Sequence, residues 1–500
     1  MPSLEFPSRV CVALGFSSAD ELLAAAQREY DEGETFFEFR LDYLADPEAG
    51  ADAIRKLRRT RPDCRVLATC RRAANHGNFQ GSVAEQLRIL QAAAEAGARL
   101  VDLEIESAAK AGGALDTLRS SASLLLSYHN FEATPALDPI LKRMMRFPAD
   151  AYKVAVTARK PSDVLRALAL PKQNPRRWVV ALSMGETGFA SRVLGPSYGS
   201  LFTYAAACDT AGTAPGQASA RQLRHLYRID RLTASARVYG VIADPVRHSI
   251  SPAVHNRAFQ SRRINAVYLP FRVPQAQLRD FMKLADGLPI AGFSVTIPHK
   301  QRIIRCLDSV DPLARRIGAV NTVWKRAGKW RGMNADAAGV TVPLSRRLRL
   351  GKARVLVAGA GGAARSAAFA LADAGASVAI TGRSPDRVRA LARACGAEAL
   401  SREQALRRES DVLVHATPLG MFPHVEECFF EDAIPAGIVF DMVYNPLETV
   451  LIRRAREQGK TVIPGIEMFL EQAARQFEVW TGESAPRAAM QKAAMEALGG

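Results

Sequence analysis

The sequence predicts an α/β protein in which an N-terminal (β/α)8 barrel precedes a second, unlike α/β part built on a Rossmann-type fold. Three observations carry this. In the first ~225 residues, short Val- and Leu-rich runs alternate with segments of helical period, the pattern of repeated βα units. Eight such strand candidates with helical crossovers suit a closed barrel better than a doubly wound sheet. Further on, RVLVAGAGGAARSAAFALADAGASVAITGR at 354 to 383 reads as strand, glycine turn, helix and second strand.

The barrel candidates, in order, are VCVAL at 10 to 14, FFEFRLD at 36 to 42, RVLATC at 65 to 70, LVDLEI at 100 to 105, SLLLSY at 123 to 128, AYKVAV at 151 to 156, WVVALS at 178 to 183 and LFTYAAA at 201 to 207. A barrel of this kind carries its active site at the carboxyl ends of its strands. Glu38 and Arg40, two apart on one strand, face the same side, here the barrel mouth. Lys153 stands inside an apolar strand. Burying an ammonium without a partner is costly, so such a lysine tends to shed its proton and become a nucleophile toward ketones. A strand-end lysine snorkelling to water is the plainer reading of the same residue. From about Asp230 to Arg237 the pattern pauses in a polar stretch and restarts at VYGVIADPV, which places a domain boundary there.

Composition narrows the function classes. A chain of 500 residues, 48% hydrophobic and 23% charged, is a soluble globular protein of more than one domain. No apolar run reaches membrane-spanning length, and the opening MPSLEFPSRV lacks a secretory pattern, so a cytoplasmic protein is expected. Seven cysteines from Cys11 to Cys428 include no CxxC pair, which implies neither a disulfide framework nor a metal site. The net charge of +17 is spread along the chain without a dense cluster or interleaved aromatics. That speaks against nucleic acid and suits anionic small substrates and a phosphorylated cofactor.

The glycine turn specifies that cofactor. Gly359, Gly361 and Ala364 occupy the positions of a GxGxxA fingerprint, with Gly362 and Ala363 opening the helix. Such a turn lets the backbone approach a pyrophosphate and the helix pack closely on the strand. The following strand ends without the Asp or Glu that would bond a free ribose hydroxyl, and offers Arg383 and Ser384, with Arg387 one helical turn on. NADP is therefore expected rather than NAD. A solvated loop arginine is the alternative at position 383.

The blocks YGVIADPVRHSISPAVHN at 239 to 256, GFSVTIPHK at 292 to 300, GAVNT at 318 to 322, DMVYNPLETVLIRRA at 441 to 455 and GIEMFLEQAARQFEVWTG at 465 to 482 closely resemble shikimate dehydrogenases. The resemblance implies a substrate-binding domain over 238–335, completed by 467–500, around a Rossmann NADP-binding domain over 336–466. It further implies that Ser249 and Ser251 hold the substrate carboxylate with Tyr444 nearby, that Thr296, Asn321 and Gln472 bind ring hydroxyls, and that Gly465 joins the cofactor site. Lys300 and Asp336 look like the family's catalytic pair; taken alone, Lys300 would be a surface lysine at a helix start. Three positions depart from the family pattern: Ala335 within Asn334-Ala335-Asp336, Gly382 before Arg383, and His415 where the family has Asn. Retention of Ser251 and Thr296 favours shikimate over quinate.

In the first part, EFRLD at 38 to 42, SYHNFEATP at 127 to 135, the strand with Lys153, Ser191-Arg192 and TAPGQ at 213 to 217 resemble type I 3-dehydroquinate dehydratases. The resemblance covers 1–229 and implies that Lys153 forms an imine with the substrate ketone. His129 would then take the neighbouring proton and return it to the leaving hydroxyl, while Glu38, Arg40, Arg71, Arg192, Thr213 and Gln217 hold the substrate. Here the family's glutamate and two glycines read Asn75-His76-Gly77. Asn75 keeps a hydrogen bond to the histidine but not a charge, so the dehydratase is expected to be weakened. Together the halves imply two consecutive steps, from 3-dehydroquinate through 3-dehydroshikimate to shikimate. The alternatives are a first domain that senses a metabolite without turning it over, and a dehydrogenase that oxidises quinate.

Overall fold

The computed structural model describes residues 8–207, 213–214, 216–247, 249–430 and 433–499. Most of the opening segment read for a leader, Cys208, Pro215 of TAPGQ and His248 lie outside the described residues. The chain divides into two compact units, one running to Ala236 and including Pro270–Pro289, the other made of Arg237–Leu269 and the residues from Ile290 on.

In the first unit, β1 (Val10–Leu14), β2 (Phe36–Arg40), β3 (Arg65–Thr69), β4 (Leu100–Glu104), β5 (Ser123–Asn130), β6 (Ala151–Thr157), β7 (Val179–Met184) and β8 (Thr203–Ala206) form one sheet. Its order is β7-β6-β5-β4-β3-β2-β1-β8, and the Leu201 amide donates to the Val179 carbonyl at 3.0 Å, joining the start of β8 to that of β7. Each run expected from the sequence is found, shifted by at most two residues at either end. The strands read as unbroken apolar runs because both faces are covered, by helices outside and by packed side chains inside. Phe36, Leu67, Leu100, Leu125, Val180 and Phe202 fill that interior. Polar residues at the carboxyl ends stand above this plug, which makes a floor for a site.

The second unit holds two sheets. Strands β9 (Arg237–Ala243), β10 (Ala266–Arg272), β11 (Ile290–Val295), β12 (Ser309–Val310), β13 (Thr322–Arg326) and β14 (Lys329–Met333) pair in the order β10-β9-β11-β13-β14-β12. Strands β15 (Arg354–Ala358), β16 (Ser377–Thr381), β17 (Glu398–Ala399), β18 (Ser410–His415), β19 (Ala436–Asp441) and β20 (Thr461–Ile463) form a parallel sheet, β17-β16-β15-β18-β19-β20. That is the doubly wound order whose direction reverses between β15 and β18. The helix Gly362–Asp373 packs on this sheet through Ala364, Ala367 and Ala368, small enough for close approach. The helix Gly465–Thr481 packs on the mixed sheet, where the Trp480 indole N–H bonds the Val323 carbonyl at 3.0 Å. No helix among the described residues is long and apolar enough to cross a membrane.

Candidate active sites

At the barrel mouth one pocket is lined by Glu38, Arg40, Arg71, His129, Lys153, Arg192, Thr213 and Gln217, with Tyr43, His76, Phe131 and Tyr204 between them. The eight residues singled out in the first part therefore converge, although they come from three strands, one short helix and two loops. Lys153 is 4% exposed, but the expectation of a buried ammonium without a partner needs correcting. Its Nζ lies 2.9 Å from Asp102 Oδ2 and 3.8 Å from Glu38 Oε1, and 4.2 Å from the centre of the Tyr204 ring. Asp102 also accepts the Ser127 hydroxyl at 2.6 Å. Burial by itself would raise the Asp102 carboxyl; the Lys153 and Arg71 charges and the hydrogen bonds from Ser127 and Lys153 overcome it and hold Asp102 below the ordinary carboxylate range.

Around this pair the anion-binding groups differ in how far they are committed. Arg40 is tied up, its Nε and Nη2 bonding Asp42 at 2.9 and 2.7 Å. Arg71 stands 3.8 Å from Asp102 and 3.7 Å from Glu104, with its buried Nε and Nη2 unbonded, so it presents donors to an incoming carboxylate or hydroxyl. Arg192 is buried, donates to the Tyr204 carbonyl at 3.5 Å, and is pushed down to about 10 by that burial. Glu38 accepts the Thr69 hydroxyl at 2.8 Å. Gln217 Oε1 accepts the Thr213 and Ala214 amides at 2.7 and 3.2 Å, which shapes the loop after β8.

His129 is the penultimate residue of β5, and its side chain has no hydrogen-bond partner among the described residues. Burial first, then the Arg71, Lys153 and Arg40 charges, push its imidazole well below the ordinary value, so the ring is neutral near pH 7 and able to accept a proton. The expectation that Asn75 bonds this histidine is not met: its amide donates to Glu106 Oε2 at 3.3 Å instead. The neighbouring His76, in the left-handed region at φ 61°, lines the pocket, with its ring 4.6 Å from that of Phe131. Phe131 in turn stacks on His129 at 6.0 Å.

In the second unit the Lys300 Nζ lies 2.6 Å from Asp336 Oδ2. The Asn321 amide donates to Asp336 Oδ1 at 2.8 Å and to Gln472 Oε1 at 3.2 Å, so four of the expected residues form one network. Asn321 is itself held, its Oδ1 accepting the Thr322 hydroxyl at 2.8 Å and the Ala335 amide at 2.7 Å. Ala335 therefore serves through its backbone, which any residue supplies. The Ser251 amide donates to Ser249 Oγ at 3.3 Å, and Ser251 also interacts with the Tyr268 hydroxyl, which donates to Ser294 Oγ at 2.7 Å. Thr296 follows β11, its amide bonded to the Ile242 carbonyl at 3.2 Å. The Tyr444 ring packs 4.9 Å from Phe469.

The fingerprint turn has the geometry its glycines suggest. Gly359 has φ +130°, and a Cβ there would come within 2.6 Å of the Ala416 carbonyl oxygen. A Cβ on Gly361 would meet nothing within 4 Å, so this residue leaves open the space above the helix start, where Gly362 and Ala363 present backbone amides. Arg383 and Arg387 are exposed and make no ion pair among the described residues, and Ser384, ahead of the helix Pro385–Cys395, makes no capping bond. An amide cradle beside uncommitted guanidinium groups fits a phosphorylated dinucleotide. Gly465 has a different constraint: a Cβ there would sit 2.3 Å from the Val443 carbonyl, so packing of the helix Gly465–Thr481 already demands glycine.

Several residues of these sites escaped the sequence reading. Asp102 and Glu104 alternate on β4 as Glu38 and Arg40 do on β2, and that period of two was the available signal. His76 and Tyr204 carried none, since one lies in a loop and the other in an apolar strand.

The family model described as Type I 3-dehydroquinase matches residues 10–234. Those for the Shikimate dehydrogenase substrate binding domain, Shikimate / quinate 5-dehydrogenase and the Shikimate 5'-dehydrogenase C-terminal domain match 241–323, 344–425 and 465–495. The chloroplastic bifunctional 3-dehydroquinate dehydratase/shikimate dehydrogenase of Arabidopsis thaliana is 35% identical over 508 residues, covering 96% of this chain and 83% of the relative. A shikimate dehydrogenase (NADP(+)) of Bacillus mycoides is 42% identical over 274 residues, 53% of this chain and 99% of its own. Among solved structures, a shikimate dehydrogenase in complex with NADP+ superposes with a TM-score of 0.51 at 35% identity, over 53% of this chain and 96% of that one. With both halves matched in order along nearly its whole length, the chain belongs to the family of bifunctional 3-dehydroquinate dehydratase/shikimate dehydrogenases.

Proposed function

We propose that the chain dehydrates 3-dehydroquinate to 3-dehydroshikimate through a Lys153 imine and reduces that product to shikimate with NADPH. The observation that carries the first step is a buried lysine, ion-paired with Asp102, sharing one pocket with a neutral histidine. Lys153 gives up its ammonium proton and attacks the ketone carbon as the free amine, and the carbinolamine oxygen takes up that proton and leaves as water to give an iminium. His129 takes the proton from the adjacent carbon and delivers it to the departing hydroxyl, which also leaves as water; water then hydrolyses the product iminium, freeing Lys153 and the enone, so that one water is lost overall. Arg71, Arg192 and Gln217 hold the carboxylate and hydroxyls during this exchange.

In the second step NADPH, when bound, supplies the hydride. Lys300 provides the proton for the substrate's carbonyl oxygen, while Asp336, itself held by the Asn321 amide, fixes its ammonium. Ser249, Ser251 and Tyr444 take the carboxylate, and Thr296 and Gln472 the hydroxyls. Gly359, Gly361, Gly362, Ala363 and Gly465 seat the dinucleotide, and Arg383, Ser384 and Arg387 its additional phosphate. The domain limits 1–229, 238–335 with 467–500, and 336–466 accompany this reading, as does a cytoplasmic setting with small molecules as partners.

The test uses the full chain with 3-dehydroquinate as sole substrate, followed by NADPH. Ultraviolet absorbance of the enone should rise and the nicotinamide signal should then decay. Absence of enone with intact reduction of added 3-dehydroshikimate would leave the barrel a sensor, and faster NADP reduction with quinate than with shikimate would overturn the biosynthetic assignment.

A further inference from the structure

His415, the last residue of β18, is 1% exposed and bonded on both sides of its ring. Its Nδ1 lies 2.8 Å from Asp441 Oδ1 at the end of β19, and its Nε2 lies 2.5 Å from the Thr417 hydroxyl. Asp441 accepts two further bonds, from the Val443 amide at 3.1 Å and the Thr449 hydroxyl at 2.6 Å. Thr417 Oγ1 also accepts the Leu419 amide at 3.3 Å. A carboxylate can only accept, so the ring Nδ1–H donates to Asp441, while Nε2 and the Thr417 hydroxyl share the second bond. The reverse tautomer would set a lone pair against a buried carboxylate.

The place of this chain of bonds gives it meaning. The parallel sheet reverses direction between β15 and β18, and in such sheets a dinucleotide lies in the crevice outside the carboxyl ends of those two strands. One wall is the Gly359 turn. The other is Ala416 and Thr417, with the Ala416 carbonyl at the closest approach to Gly359 and its amide bonded to the Ala358 carbonyl at 2.8 Å. Asp441 begins the segment that carries Tyr444, and Thr449 caps the helix Val450–Glu457 at that segment's far end. His415 therefore joins the cofactor wall to the segment bearing a substrate residue.

We propose that His415 is a positioning residue of the dehydrogenase, which sets the Thr417–Leu419 turn against the nicotinamide cofactor and couples it, through Asp441, to the Tyr444 segment. The inference rests on the dehydrogenase reading given above. With the histidine removed, the turn loses its anchor, and both the NADPH seat and the substrate seat loosen.

The test compares His415→Ala, His415→Asn, Thr417→Val and the double variant His415→Ala/Asp441→Asn in the full chain. NADPH dissociation constants come from fluorescence titration, KM and kcat from 3-dehydroshikimate reduction, and folding from thermal melts. His415→Ala should weaken NADPH and raise the 3-dehydroshikimate KM by about tenfold each, the loss of roughly one buried hydrogen bond at each seat. His415→Asn, whose amide still reaches Asp441, should recover most of the substrate effect. The double variant should be no worse than His415→Ala, because partners in one chain of bonds are not additive. Thr417→Val, which replaces only a hydroxyl near the crevice, should reproduce the NADPH effect without the melting-temperature loss. Unchanged NADPH affinity in Thr417→Val, or a lowered melting temperature with unchanged constants in His415→Ala, overturns the proposal. A wild-type chain that binds NADPH yet leaves 3-dehydroshikimate unreduced would instead sink the proposed activity, with the NADPH titrations still deciding the role of His415.

Discussion

Lys153 illustrates how one buried charge is made usable. In an apolar strand its ammonium would be expensive, and Asp102 at 2.9 Å, itself bonded by Ser127, supplies the compensation. Its replacement in Lys153→Met should lower dehydration by on the order of a thousandfold or more and abolish the borohydride-trapped substrate adduct seen by mass spectrometry. Trapping that persists would assign the imine to another amine. Arg383 is the opposite case, a guanidinium in solvent with nothing paired to it among the described residues. A charge-assisted bond to a ribose phosphate contributes about 1.5 to 3 kcal/mol, so Arg383→Gln should raise the KM for NADPH by roughly ten- to a hundredfold. The KM for NADH should stay within about twofold, since the unphosphorylated ribose offers no such partner; equal losses for both cofactors would remove Arg383 from the site.

At the scale of elements, the helix Ser251–Ser261 buries His255 between Tyr268 and Trp480, with ring centres 4.5 and 5.1 Å away. Burial pushes this imidazole down to about 3, offset in part by Gln476. The unfolded chain's histidine titrates near ~6.5, so the neutral ring's contribution to stability is complete above that pH and is lost progressively as pH falls toward the folded value. His255→Phe keeps the aromatic packing and removes the titration. Between pH 6.5 and 4.5 its urea stability should fall less steeply than the wild type's, by up to about 1.4 kcal/mol per pH unit. Parallel curves for the two chains would contradict this account. Elements were also what the sequence expressed best. The runs VCVAL and AYKVAV match β1 and β6 almost residue for residue, since a parallel strand covered on both faces must be apolar throughout. The turn at Gly359 was equally legible, because backbone that passes within contact of Ala416 at φ +130° admits only glycine.

For the whole molecule, two sites built from separate residues should fail separately. Lys300→Met should reduce NADPH consumption roughly 100- to 10,000-fold, the usual range for removing a positioned proton donor, and leave enone formation unchanged. In that variant 3-dehydroshikimate accumulates from 3-dehydroquinate even with NADPH present. The reciprocal variant, Lys153→Met, should reduce added 3-dehydroshikimate at the wild-type rate. A shared loss in either would mean that the two activities depend on each other.

The sequence by itself determined what is local and periodic: the eight strand runs, the glycine turn, the placement of Glu38 and Arg40 on one side of a strand, and the family blocks that bring Lys300 to attention. Only the tertiary structure decided which charges meet. That Lys153 on β6 answers to Asp102 on β4, with β5 between them, that Asn75 turns to Glu106 and leaves His129 unbonded, and that His415 reaches Asp441 on the next strand are matters of strand order and register. The pairs His415–Asp441, Asn75–Glu106 and Lys153–Asp102 lie 26, 31 and 51 positions apart in the chain, where propensity and spacing carry no information. Burial then sets the strength of each pair, because a charge removed from water must find its counterpart wherever the fold has placed one.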